Sequence, residues 1–138
     1  MQLTPAELAQ VQQSLSQYEP AHSALTTLVD HNGDLEASLE THLQSQMGQA
    51  MFGERSLRQV TLEVLRNELC GDDGFRGKLT EYTKNKDSAP LLTGLIVYLA
   101  TQVALPIPID PGLATLVVLY IAKIGLNVFC EYTKPEPS

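Results

Sequence analysis

The sequence predicts an all-α fold, a helical bundle of about five short amphipathic helices plus a C-terminal apolar helical hairpin. Three observations carry this. Apolar residues recur at three- and four-residue intervals through most of the chain, and no stretch alternates apolar and polar between hairpin turns. Two long apolar runs, Leu91 to Leu105 and Leu113 to Cys130, then follow each other closely. At 138 residues the chain has the size of one domain. We divide it into an amphipathic region (1–86), an apolar hairpin packed on it (87–134) and a solvated tail (135–138).

Thr4-Pro5-Ala6-Glu7 combines a capping residue, a proline in the first turn and a capping-box glutamate, so a first helix begins here. Its apolar face is Leu8, Val11, Leu15 and Tyr18. Pro20 ends it and opens a second, short helix with the stripe Leu25, Leu28 and Val29, closed by the turn residues Asp30-His31-Asn32-Gly33. A third helix runs from Asp34 through Leu35, Leu39, Leu43 and Met47, and is broken or bent at Gly53. Ser56 to Leu69 reads as a fourth, facing inward through Leu57, Val60, Val64, Leu65 and Leu69. After the turn Gly71-Asp72-Asp73-Gly74, Phe75, Leu79 and Tyr82 mark a fifth.

The hairpin has its own punctuation. Asp87-Ser88-Ala89-Pro90 caps its first member and Asp110-Pro111 its second, while Pro106 and Pro108 bar a continuous helix between them. On a helical wheel, Leu116, Tyr120, Lys123 and Asn127 share one line of the second run, which reads as a wet side. In the first run Gly94, Tyr98, Thr101, Gln102 and Leu105 lie opposite Leu92, Ile96, Leu99 and Val103. Both runs fall somewhat short of the roughly 20 residues that cross a bilayer. A membrane hairpin through residues 91–130 is nevertheless the alternative, because lysines flank its ends and the connecting turn holds only Asp110. Burial in the chain's own core is the expectation, since five amphipathic helices need an apolar surface to cover and Lys123 is expensive at a bilayer centre.

Composition narrows the function classes. Nine Lys and Arg against 16 Asp and Glu give a net charge of −7, which repels phosphate, so nucleic acid is not an expected partner. Cys70 and Cys130 are too few for a disulfide framework and read as small core residues at helix ends. With an N-terminus unlike a signal peptide, they point to the cytoplasm, with a membrane as the alternative location.

No catalytic or cofactor signature is present, and we expect no catalytic residues, no cofactor and no metal. His22, His31 and His42 lack metal-ligand spacing and read as exposed turn residues. Asp72 and Asp73 read as caps for the helix at Phe75. Lys123, buried in an apolar run, is expected to lay its stem along the helix and meet a carboxylate or solvent.

What remains is charge distribution. No Lys or Arg precedes Arg55, whereas Arg55 to Lys86 carries seven basic residues against five acidic. An acidic face including Glu36 and Glu40, and a basic patch of Arg55, Arg58, Arg66, Arg76 and Lys78, are complementary between copies. The expected function is therefore a non-enzymatic protein-interaction or adaptor module, touching a protein partner or itself, with Lys123 as a further candidate contact. The runner-up is a membrane anchor or pore-forming effector.

Overall fold

The computed structural model describes residues 1–47, 57–103 and 109–132. Among them are eight α-helices: α1 (Pro5–Ser14), α2 (His22–Asp30), α3 (Leu35–Met47), α4 (Leu57–Leu69), α5 (Asp73–Lys84), α6 (Ala89–Thr101), α7 (Pro111–Ile124) and α8 (Leu126–Tyr132). A 3-10 turn, Glu19–Ala21, leads into α2. The only pairing of extended backbone among these residues is an isolated bridge between Gln2 and Asp34.

The capping chemistry explains most helix starts. Thr4 and Glu7 form the full capping box on α1, with Glu7 N–H donating to Thr4 Oγ1 and Thr4 N–H to Glu7 Oε1. Asp34, Asp72, Ser88 and Asp110 accept from the backbone N–H of Ala37, Phe75, Leu91 and Leu113 respectively. The turn between α2 and α3 works through Asn32 and Gly33, both at positive φ. A Cβ on Gly33 would lie 2.8 Å from the Leu3 carbonyl oxygen, which accordingly only glycine admits. Residues 1–3 are stitched to this turn, Leu3 N–H donating to Gly33 O and Leu35 N–H to Met1 O.

The hairpin organises the core. Every residue of α7 from Gly112 to Ile121 is buried, enclosed by α2, α3, α6, α8 and the 3-10 turn. In α6 the inward residues are Leu92, Leu95, Ile96 and Leu99, while Gly94, Thr101 and Gln102 are exposed, as the wheel predicts. No helix among the described residues is long and apolar enough to cross a membrane. The 13 residues of α6 and 14 of α7 rise only about 20 Å at 1.5 Å per residue, against roughly 30 Å of hydrocarbon. Buried apolar side chains from all the helices join one cluster.

Several expectations are corrected. The second apolar run is two helices, because Gly125, at φ +88°, breaks the chain between α7 and α8. The proposed wet side of the second run holds only at its end: Leu116 and Tyr120 are buried, Lys123 is half-buried, and Asn127 is exposed but belongs to α8. The extreme apolarity of α7 from Gly112 to Ile121 lets other helices cover that stretch all round, and only its last turn, with Lys123, reaches the surface. On α4 the inward residues are Thr61, Leu62, Leu65 and Leu69, with Val60 and Val64 only partly covered. Val29, assigned to the apolar stripe of α2, is 44% exposed. The break expected at Gly53, the Pro106 to Pro108 linker and the tail lie outside the described residues.

The largest correction concerns the cysteines. Cys70 and Cys130 are joined in a disulfide that ties the end of α4 to α8 across 60 residues of sequence. Small core thiols are what two isolated cysteines suggest, but the fold brings their Cα atoms to 6.0 Å, a normal bridging distance.

Candidate functional site

Four polar junctions hold the helices in register, and of the charged residues singled out in the sequence Lys123, Arg66 and Arg76 bond within them. At the first, Lys123 Nζ reaches Glu7 Oε1 at 2.7 Å. The same oxygen closes the α1 capping box, so one carboxylate fastens the end of α7 to the start of α1. The Lys123 hydrogen bond, chiefly, and the Thr4 N–H hold the Glu7 carboxyl below its ordinary pKa. Tyr82 stands close by, its phenol pushed upward by burial and then by the Glu7 charge. The pocket between Glu7, Val11, Tyr82, Leu119 and Lys123 has a volume of about 50 Å³. That admits a water or two, well below the roughly 300 Å³ of a small-molecule site.

At the second junction, His42 on α3 is buried, 8% exposed, and its Nε2–H donates to Asp110 Oδ1 at 3.1 Å. This corrects the reading of His42 as an exposed turn residue. Asp110 also caps α7, and the ring lies against Gly112, so α3 is keyed into the first turn of α7. The other two histidines also serve local structure. His22 Nε2–H donates to Leu15 O, and His31 donates from Nδ1 to Thr27 O while Nε2 receives the Thr41 hydroxyl. Among the described residues no group of three or more His, Cys, Asp or Glu gathers around a common point.

The third junction joins α5 and α6. Asp72 accepts from Phe75 N–H, as the sequence predicts, and additionally from the Tyr98 hydroxyl at 2.9 Å. This hydrogen bond is the main reason the Tyr98 phenol is raised above its ordinary pKa. Gly74 is what lets the ring in, because a Cβ there would collide with the Tyr98 hydroxyl. Lys78 is exposed, with its ammonium 5.6 Å from the centre of the Tyr98 ring.

The fourth surrounds the disulfide. Arg66 Nε–H donates to Cys130 O at 2.8 Å, while Arg76 donates to Cys70 O at 3.2 Å and to Asn127 Oδ1 at 3.1 Å. Two arginines of the expected basic patch are thus turned onto the chain's own C-terminal helix. Of the rest of that patch, Arg55 and the side chain of Arg58 lie outside the description, and Lys78 faces solvent together with Lys84 and Lys86. On the acidic side, Glu36 Oε1 accepts from the Met1 amino group at 2.7 Å. Glu40 is half-buried, with Oε2 covered and no hydrogen-bond partner among the described residues.

The disulfide and the His42–Asp110 contact were missed by sequence reasoning. The signal available for the bridge was an even cysteine count with each residue at a helix end. For His42 it was a histidine four residues after the inward-facing Ser38 and one before Leu43.

A larger depression, about 380 Å³ and open to solvent, lies between α1 and α2. Its walls are Gln12, His22, Leu25, Thr26, Val29 and Asp30, with Val29 as an exposed apolar residue beside a carboxylate. No family model, no curated protein and no solved structure matches the chain.

Proposed function

We propose that the chain is a non-enzymatic helical interaction module that docks a cationic protein segment on the α1–α2 face, and that a second copy supplies this segment from its exposed lysines. The observation carrying the reading is the division of charge. The first 54 residues contain no Lys or Arg, and their described surface includes the open groove with Val29 and Asp30 exposed, and Glu19 exposed at the turn before α2. Lys78, Lys84 and Lys86 of α5 and the turn after it are solvent-facing, whereas Arg66 and Arg76 are taken up internally. A groove with an exposed apolar residue and one carboxylate, on a face without cations, favours a partner of opposite charge through steering and register. The 50 Å³ pocket beside Lys123 is too small for a small-molecule substrate, so that lysine draws no support as a catalytic base.

Sedimentation of the purified chain at rising concentration, in low and high salt, tests the reading. Self-association that weakens with salt, and weakens again in Asp30→Lys and Val29→Asp, is expected. A monomer at all concentrations, or an oligomer indifferent to salt and to both substitutions, would count against it. The inserted-hairpin alternative through residues 91–130 draws less support, because α7 is covered by the chain's own helices. A cytoplasmic location loses one of its grounds, since the two cysteines are bonded and such bonds are uncommon in the reducing cytosol.

A further inference from the structure

We propose that the Cys70–Cys130 bond is a redox-controlled latch on α8: reduction by a dithiol releases this helix about Gly125 while the rest of the bundle stays folded. The inference is independent of the docking face on α1 and α2. It rests on how α8 is attached.

First, α8 has only seven residues, and so short a helix has little stability unless something holds it. Second, it is separated from α7 by Gly125 at φ +88°, a break in the helical hydrogen bonding about which the segment can turn. Third, its described attachments are mostly side-chain contacts along one face of a single helical segment. Leu126 and Phe129 are buried, the Phe129 ring meeting Tyr120 edge-on at 6.3 Å, while Asn127 and Val128 are exposed. Arg66 and Arg76 grip the Cys130 carbonyl and the Asn127 amide from outside. The covalent bond is the strongest of these ties, and both cysteines lie at the edge of the core, half-buried rather than enclosed.

With the bond intact, α8 cannot leave α4 without unfolding the element that carries Cys70. When a dithiol such as a thioredoxin-type protein attacks, two electrons and two protons pass to the bridge. The S–S bond breaks, Cys70 and Cys130 become thiols, and the reductant closes into its own disulfide. The segment then opens as a local unit, uncovering Leu126, Phe129 and the Tyr120 side of α7.

Hydrogen exchange of the full chain, oxidised and after reduction by dithiothreitol or a thioredoxin, reads this directly. We expect amides of residues 126–132 to exchange at least roughly tenfold faster on reduction, relative to those of α3 and α7, and to regain protection on reoxidation. Cys130→Ser should behave as the reduced chain; should that variant fail to fold, reduction of the native chain in place gives the same readout. Two results would overturn the latch: exchange in α8 that changes no more than exchange in the core, showing a mere structural staple, or a bond that resists the dithiol until the whole chain unfolds.

Discussion

Replacing Gly112 by alanine tests whether His42 is held rigidly between α3 and α7. A Cβ at Gly112 would sit 2.7 Å from His42 Cε1 and 3.2 Å from both His42 Nε2 and Ser23 Oγ, where ordinary contact begins at 3.4 Å. The ring must move, yet it is 8% exposed and tied to Asp110 at 3.1 Å, so moving it stretches a part-buried hydrogen bond. Overpacking of this kind costs about 1–3 kcal/mol. Loss of the bond adds about 0.5–1.5 kcal/mol. Against these stands a gain of about 0.5–1 kcal/mol for removing a helical glycine. The net expectation is destabilisation by about 1–3 kcal/mol. An unfolding entropy near 2.1 cal/mol/K per residue makes each kcal/mol worth about 3–4 °C here, so Tm should fall by roughly 4–10 °C. Thermal and urea unfolding followed by circular dichroism measure it. The decisive arm is a double-mutant cycle: in a His42→Ala background the same Gly112→Ala change should be neutral or stabilising, giving a coupling of about 1 kcal/mol or more. Equal destabilisation in both backgrounds, or a rise in Tm in the native chain, would refute the reasoning.

The remaining junctions make their own predictions. Lys123→Met should lower stability by only about 0.5–1 kcal/mol in urea unfolding, because the pair is part-exposed and methionine keeps the apolar stem; a loss above about 3 kcal/mol would mean the charge does more than fasten α1 to α7. Since the Glu7 carboxyl is lowered in the folded chain, the stability it contributes is full above its ordinary value of 4.5 and is lost as pH falls through the lower native value. Glu7→Gln should therefore flatten the acid limb of a stability–pH profile between about pH 5 and 2. Tyr98 behaves oppositely, its pKa being raised from 10.0, so stability falls as pH rises through and beyond 10. In Tyr98→Phe that part of the alkaline loss should disappear, and the remaining tyrosines should account for the phenolate absorbance at high pH.

Local chemistry made a large part of the fold legible. Thr4, Asp72, Ser88 and Asp110 announce helix starts because a cap needs only a side-chain oxygen two or three residues before an unsatisfied N–H, and all four act as read. The inward faces of α5 and α6 follow from period alone, since those helices bury one side: Phe75, Leu79 and Tyr82 in one, Leu92, Ile96 and Leu99 in the other. The wheel failed on Leu116 and Tyr120, which lie in the stretch of α7 covered on every side, and on Val29, whose place depends on how α1 and α2 meet. The partners of Lys123, His42 and Tyr98 were equally out of reach, being 116, 68 and 26 residues away in sequence. Spacing within one helix says nothing about such pairs.

These long-range pairs change what a charged residue means in this molecule. Read linearly, Arg66, Arg76 and Lys123 look like surface available to partners, and Glu36 like part of a docking face. In the fold each is committed to an internal junction: to Cys130 and Cys70 carbonyls, to Glu7, and to the Met1 amino group. The commitment follows from the core. A hairpin as apolar as α6 and α7 must be covered by short helices that have little polar surface to bond each other, so fixing their orientation falls to a few long side chains that reach across. Among the described residues, the exposed charges left on the α1–α2 side are Glu19 and Asp30, with no cation, while α5 and the turn after it expose Lys78, Lys84 and Lys86 interspersed with Asp73, Glu81 and Asp87. It is the absence of any cation on the first face that gives the interaction reading its footing.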